Sequence, residues 1–488
     1  MTTVLGRRRI NAIELLSNTD ESQNAMAYTP NTHRPLTFFD AVPRFLSRSD
    51  TPTDYLERCL EVIKQREQTV QAWVVINEEG ARAAAAESTK RYREGKPLSP
   101  IDGMPIGVKD LINTKDMPTE MGSPLYKGNH TYQDSASIRA LRDAGAIILG
   151  KTVTTELGMS HPGPTRNPFD ESRTPGGSSS GSAAAVGACM VPVCIGTQVV
   201  GSIIRPAGFC ANYALKPTFG AINRGERQGY SQSQFGVHAG CLEDMWSVAM
   251  EMASRAGGDP GHPGLYGSKQ LEPALVPTRL IVMEGEGWPE VGKATKQAFE
   301  LVIEQLEMAG VKVLRRSDSP LIENFERAIS NCAALCRDIC GFELRWTLEN
   351  MVERHPGQIS ESLMGRLKLA REMTVDEYRS LLDVRSAMHK AHKALDGLAD
   401  ALISVGSLGP APLMGDISGS DPRIPHATGN PIMNTPSSAL WAPTITLPLL
   451  CVEAMPVGVQ IIGQQHQDAR LVRLARWIRD TVRPVTIA

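Results

Sequence analysis

Apolar side chains at Leu56, Cys59, Leu60 and Ile63 recur at a spacing of three and four, which predicts a helix over residues 55–69. The run WVVI at 73–76 follows as a short strand, and the Ala-rich, charged stretch 78–94 reads as a solvent-edge helix ending at Gly95. The run GMPIGVKDL at 103–111 passes from turn residues into a continuous apolar stretch, as a buried strand does, yet it carries a lysine, Lys109. A helix over 137–143 and a strand over 146–149 come next. The segment TPGGSSSG at 174–181 is too rich in Gly and Ser for either element and must be a loop that presents backbone. Small residues at 182–190 suggest a tightly packed helix, followed by a strand at 191–195. Long helical patterns occupy 243–255, 293–308, 321–351 and 375–395, strand signals return at 401–405, 445–450 and 457–462, and a closing helix covers 468–479. Strands alternating with helices over the whole length predict an α/β fold. The first 50 residues, polar and broken by prolines, read as an arm, leaving 51–488 as one large domain with no internal repeat and no dividing linker.

Composition narrows the function. In 488 residues, Lys+Arg 51 nearly balance Asp+Glu 53, and the basic residues are scattered. A net charge of -2 offers no global field for nucleic acid or an anionic membrane, so neither is expected as a partner. No apolar run reaches the roughly 18 residues of a membrane span. The basic cluster Arg7, Arg8 and Arg9 is followed by Asn and Glu rather than by a signal peptide's apolar core. Nine cysteines without a C-x-x-C pair suggest neither a disulfide framework nor a zinc ribbon, and a reducing cytoplasm is the expected location. Cys332, Cys336 and Cys340 fall on one helical face and are expected to pack as small hydrophobes rather than to bind metal.

Three motifs compete for the chemistry. Residues 145–152, GAIILGKT, satisfy the phosphate-loop pattern, but its variable positions are a buried strand, so Lys151 is expected to be structural. Residues 177–181, GSSSG, satisfy the nucleophile-elbow pattern centred on Ser179, but no apolar strand precedes them; His426 and His466 would be the late histidine partners. The third constellation combines Lys109, Ser178 and Ser202. A lysine held neutral by burial can activate a serine without histidine, and an intervening hydroxyl, donor and acceptor at once, can relay the proton.

The blocks IDGMPIGVKD, GKT, NPFDESRTPGGSSSGSAAAVGACMVPVCIGTQVVGSIIRPAGFC, ALKPTFG and MPVGVQIIG resemble the amidase signature family, from about residue 50 to residue 483. The resemblance implies a single large domain with a mixed, twisted sheet flanked by helices on both faces. It implies Lys109 as base, Ser178 as a relay serine with a cis peptide bond, and Ser202 as the acylated nucleophile. The backbone N–H groups of Val199, Val200, Gly201 and Ser202 would face the oxyanion, with Ser179 beside them. The implied reaction is hydrolysis of a small-molecule amide through an acyl-enzyme, without metal or cofactor, by a protein that is often a homodimer.

Several positions depart from the family pattern. Val200 stands where glycine is usual, and Gln198 where many members have Asp. Arg205 lies three residues after Ser202, an arrangement similar to the malonamidase branch, in which it would either grip a substrate carboxylate or brace the loop by hydrogen bonds. Segment 231–244 also differs from the commoner form, and His161 is a candidate to line the pocket. The helical region 321–395 is expected to cover the cleft and set specificity. Two other readings stay open: an amidotransferase A-type subunit that needs a partner protein, and a non-catalytic pseudoenzyme.

Overall fold

The computed structural model describes residues 27–225, 230–415 and 426–488. Its strands are β1 (Trp73–Ile76), β2 (Pro105–Lys109), β3 (Ile147–Thr152), β4 (Val193–Gln198), β5 (Tyr213–Lys216), β6 (Gln234–Ala239), β7 (Arg279–Val282), β8 (Lys312–Leu314), β9 (Ala401–Val405), β10 (Thr444–Val452), β11 (Met455–Ile462) and β12 (Val485–Ile487). All belong to one sheet, in the order β1-β3-β2-β4-β6-β5-β10-β11-β9-β7-β8, with β12 on β10. Pairing is mixed: β2 runs parallel to both β3 and β4, whereas β6 is antiparallel to β4 and β5.

The apolar runs are continuous because both faces of the sheet are covered. Along β3, Ile148 packs with Ile138, Leu141 and Trp246, whereas Ile147 and Leu149 pack on the opposite face with Leu56, Leu60 and Ala183–Val186. Along β9, Ile403 and Val405 join the first core, whereas Leu402 meets Ile322, Phe325 and Leu335 from the later helices. The two-residue alternation thus assigns each strand side chain to a helical layer.

Most predicted elements form, with shifted ends. The single helix predicted over 321–351 is two, Pro320–Ala328 and Cys332–Arg354. The break has a local cause. Ser330 Oγ donates to the Arg327 carbonyl (2.9 Å), and the Glu286 carboxylate accepts the Ala333 N–H (2.5 Å) where the new helix starts. A further helix, Glu361–Glu372, buries Leu363, Leu367 and Ala370.

Residues 1–26 of the expected arm lie outside the described residues. The later part packs on the body: Phe38 and Phe45 are buried against Tyr55 and Tyr92, and the buried Asp244 carboxylate accepts the N–H groups of Phe38 (2.7 Å) and Phe39 (2.9 Å). Apolar residues spaced too irregularly to signal an element are anchored here by aromatic burial and one carboxylate.

Lys151 is the lysine of the phosphate-loop pattern. The stretch forms strand β3, and Lys151, fully buried, pairs with Asp110 (3.0 Å), donates to Thr119 Oγ1 (2.7 Å) and donates to the Pro118 carbonyl (3.0 Å). Burial pushes its amine down and the Asp110 carboxyl up, while their attraction opposes both shifts. Replacing one partner strands the other. Lys151→Met is therefore expected to lower the unfolding free energy by about 3–5 kcal/mol, measured by denaturant titration.

Candidate active site

Lys109 ends β2, a central strand between β3 and β4. Ile106 and Val108 face the larger core, so alternation turns Lys109 to the opposite face, beneath the helix Ser180–Gly187. The side chain is fully buried and, among the described residues, has no carboxylate partner. Its Nζ lies 2.7 Å from Ser178 Oγ, 3.1 Å from Ser179 Oγ, 2.9 Å from Thr197 Oγ1 and 3.4 Å from the Thr197 carbonyl.

The hydrogen-bond geometry accommodates a neutral amine. Ser179 Oγ donates its one proton to the Thr197 carbonyl (3.1 Å), so it accepts from Lys109. Two N–H groups serve Ser179 and Thr197; toward Ser178 Oγ an ammonium would donate its third N–H, whereas a neutral amine presents its lone pair to the Ser178 hydroxyl. Burial also drives the Lys109 amine well below the usual lysine range.

Ser178 is buried and follows a cis peptide bond from Gly177. Thr155 N–H donates to its carbonyl (3.3 Å), and a Cβ built on Gly158 would lie 3.6 Å from Ser178 Oγ, so the loop after β3 closes over Ser178. Ser202 is half-buried, and its carbonyl accepts the N–H of Ser179, the residue after Ser178 (3.3 Å). Among the described residues Ser202 Oγ makes no hydrogen bond, which leaves it free to meet a ligand.

Between β4 and the helix Ile204–Phe209, the N–H groups of Val199, Val200, Gly201 and Ser202 have no protein acceptor among the described residues. Consecutive unpaired N–H groups form a concavity suited to negative charge. Val200 is not at positive φ, so its β-branched side chain fits this loop without strain; it packs on the layer of Ile329, Cys332 and Leu335. Gly201 is required for space: a Cβ there would meet Arg205 Nη1 at 2.6 Å and Asn434 Oδ1 at 2.8 Å.

Arg205 is buried. Nε donates to the Thr428 carbonyl (2.9 Å), and Nη2 donates to the Gly177 carbonyl (2.7 Å) and to Thr428 Oγ1 (3.3 Å). It therefore braces the Ser178 loop. Among the described residues Nη1 has no hydrogen-bond partner and no carboxylate lies beside the guanidinium, which burial lowers to about 10 and which stays charged at neutral pH.

Of the other candidates, Ser179 belongs to this cluster and His466 and His161 do not. Ser179 is fully buried, bonded to Lys109 and Thr197 rather than to an imidazole, while His466 and His161 are exposed. Cys332 and Cys336 pack in an apolar core, and among the described residues no His, Cys, Asp and Glu group could hold a metal. The helices Cys332–Arg354 and Glu361–Glu372 lay Leu344, Leu348 and Leu367 on Leu157 and Met159 of the loop that covers Ser178. Sequence reading missed Thr197, whose hydroxyl bonds Lys109, and Ser438 and Thr428, which no local pattern ties to the serine loops.

With this geometry in view, comparison places the chain. A family model of amidases matches residues 54–472. The chain belongs to the amidase signature family. It is 30% identical over 455 residues to the A-type subunit of the glutamyl-tRNA(Gln) amidotransferase of Chloroflexus aggregans, covering 87% of this chain and 92% of that one. The corresponding protein of Geobacillus kaustophilus is 29% identical over 456 residues, with the same shares covered. A crystal structure of an amidase superposes with a TM-score of 0.79 at 27% identity, covering 92% of this chain and 100% of that one. The peptide amidase of Stenotrophomonas maltophilia shares the fold, with a TM-score of 0.71 at 24% identity over 93% of this chain and 99% of its own. Among the described residues no helix is long and apolar enough to cross a membrane.

Lys109 and Lys151 make opposite predictions for the same substitution. Lys109 leaves no carboxylate behind, so Lys109→Met is expected to cost no more than about 1 kcal/mol in unfolding free energy, by the same titration.

Proposed function

We propose that the protein hydrolyses a small amide through an acyl-enzyme on Ser202, with Ser178 as relay and Lys109 as base. The observation that carries this reading is the 2.7 Å contact between Ser178 and a fully buried lysine that lacks any carboxylate partner. A paired lysine would stay an ammonium and could not take a proton; an unpaired buried one is a base at neutral pH.

The neutral Lys109 amine takes the Ser178 proton while Ser178 Oγ takes that of Ser202. Ser202 Oγ attacks the amide carbon, and the carbonyl electron pair moves onto oxygen, facing the N–H groups of residues 199–202. Each such donor is commonly worth about 2.7–4 kcal/mol. The relay then runs backward: the proton reaches the amide nitrogen, the C–N bond breaks, and ammonia or an amine leaves an ester on Ser202. Water, deprotonated along the same route, attacks the ester and releases a carboxylic acid.

The unneutralised Arg205 guanidinium makes carboxylate-bearing amides the first substrates to test. A second reading is supported by the amidotransferase proteins among the relatives. In it the same acyl chemistry releases ammonia for a partner protein, and activity would depend on adding that partner. A cytoplasmic homodimer is part of the first reading, to be measured by light scattering.

A serine-reactive fluorophosphonate tests the chemistry without a known substrate. Peptide mass spectrometry is expected to place the adduct on Ser202, and Lys109→Met to abolish it. The labelling rate is expected to rise with pH and then level off, because the active form is the free amine; as pH falls through the lowered lysine pKa the amine becomes ammonium and labelling is lost. An adduct on Ser179, or labelling indifferent to Lys109, would refute the assignment.

A further inference from the structure

Gln198 closes β4, fully buried, and both ends of its carboxamide are engaged. Oε1 accepts the N–H groups of Ile203 (2.9 Å) and Ile204 (3.1 Å), where the helix Ile204–Phe209 begins. Nε2 donates to Ser438 Oγ (3.0 Å) and, over a longer contact, to the Val200 carbonyl (3.4 Å). Ser438 Oγ in turn donates to the Val200 carbonyl at 2.9 Å. Because a serine hydroxyl has one proton and Gln198 already donates to this one, that proton is directed at Val200.

The Val200 carbonyl shares a planar trans peptide with the Gly201 N–H, so the two point in opposite directions. Drawing the carbonyl toward Ser438 therefore turns the Gly201 N–H away from Ser438; this N–H and those of Val199, Val200 and Ser202 have no protein acceptor among the described residues. We propose that Gln198 and Ser438 form a hydrogen-bond relay that sets this peptide plane, making Gln198 a positioning residue for the oxyanion. The inference rests on the amide-hydrolysis reading above and adds a residue pair that acts through the backbone.

The chemistry of the relay separates it from simple support of the fold. A glutamate at 198 keeps the acceptor for Ile203 and Ile204, so the helix start is preserved. It cannot donate to Ser438, whose proton would turn to the carboxylate and release the Val200 carbonyl. Ser438→Ala removes the same donor from the other side and leaves the Gln198 acceptor contacts in place.

The test is the concentration dependence of Ser202 labelling by the fluorophosphonate, which separates kinact from KI, on the full chain and on Gln198→Glu, Ser438→Ala and the double variant. In each single variant kinact is expected to fall about 10- to 100-fold while KI stays within about twofold, since transition-state alignment is lost and probe binding is not. The double variant is expected to be no slower than the slower single one, because both remove one unit. Unchanged kinact in both single variants, or additive losses in the double, would overturn the relay while leaving the amidase reading intact. Absence of labelling in the unaltered chain would overturn both.

Discussion

A lysine amine at the end of a central strand, with serine and threonine oxygens around it and no carboxylate in reach, is the constraint on which the rest of this site depends. Three lysines are fully buried among the described residues, and their surroundings separate their roles. Lys151 is paired with Asp110 and holds strand to loop. Lys216 donates to the Pro217 carbonyl, and burial lowers it to about 7, opposed by the nearby Asp468 charge. Lys109 faces three hydroxyls and, at longer range, the Thr197 carbonyl; one of the hydroxyls is that of Ser178, the serine the proposed base would deprotonate. Burial without a partner costs a structural lysine stability, and the same burial gives a catalytic one its lone pair.

Around that amine, backbone is held by side chains that are distant in sequence. Arg205 donates to the carbonyl of Gly177 and joins it to Thr428, fixing the segment that carries Ser178. Gln198 and Ser438 hold the peptide before Gly201. Gly201 itself is pressed between Arg205 and Asn434, so the loop of residues 199–202 and the loop that carries Ser178 both lie against one guanidinium. The covering helices reach the same place through Leu344, Leu348 and Leu367 on Leu157 and Met159.

The α/β class, the strand bearing Lys109, the Ser-rich loop and most long helices were legible because local periodicity and turn chemistry dictate them. Short strands such as β7 and β8 were not, since three or four residues carry too little alternation to stand out from loop sequence. The helix break at Ser330 lay hidden in an unbroken apolar period, because it arises from hydrogen bonds to Arg327 and Glu286 rather than from Gly or Pro. At the site, the resemblance to the family pattern is what singled out Lys109, Ser178 and Ser202 as the proposed catalytic residues. Thr197 went unseen because a threonine in a buried strand looks like ordinary β propensity. The contact of Gln198 with Ser438 spans 240 residues, joining the end of β4 to the helix Thr435–Ala439, and no local pattern announces it.

The protonation state of Lys109 at rest is the claim on which the account turns. Neutron diffraction from deuterated crystals grown near pH 8 locates the deuterons directly. The account predicts two deuterons on Lys109 Nζ, directed at Ser179 and Thr197, with the Ser178 deuteron lying on the line to Nζ. Three deuterons on Nζ, one of them directed at Ser178 Oγ, would mean that the resting lysine is an ammonium and would contradict it.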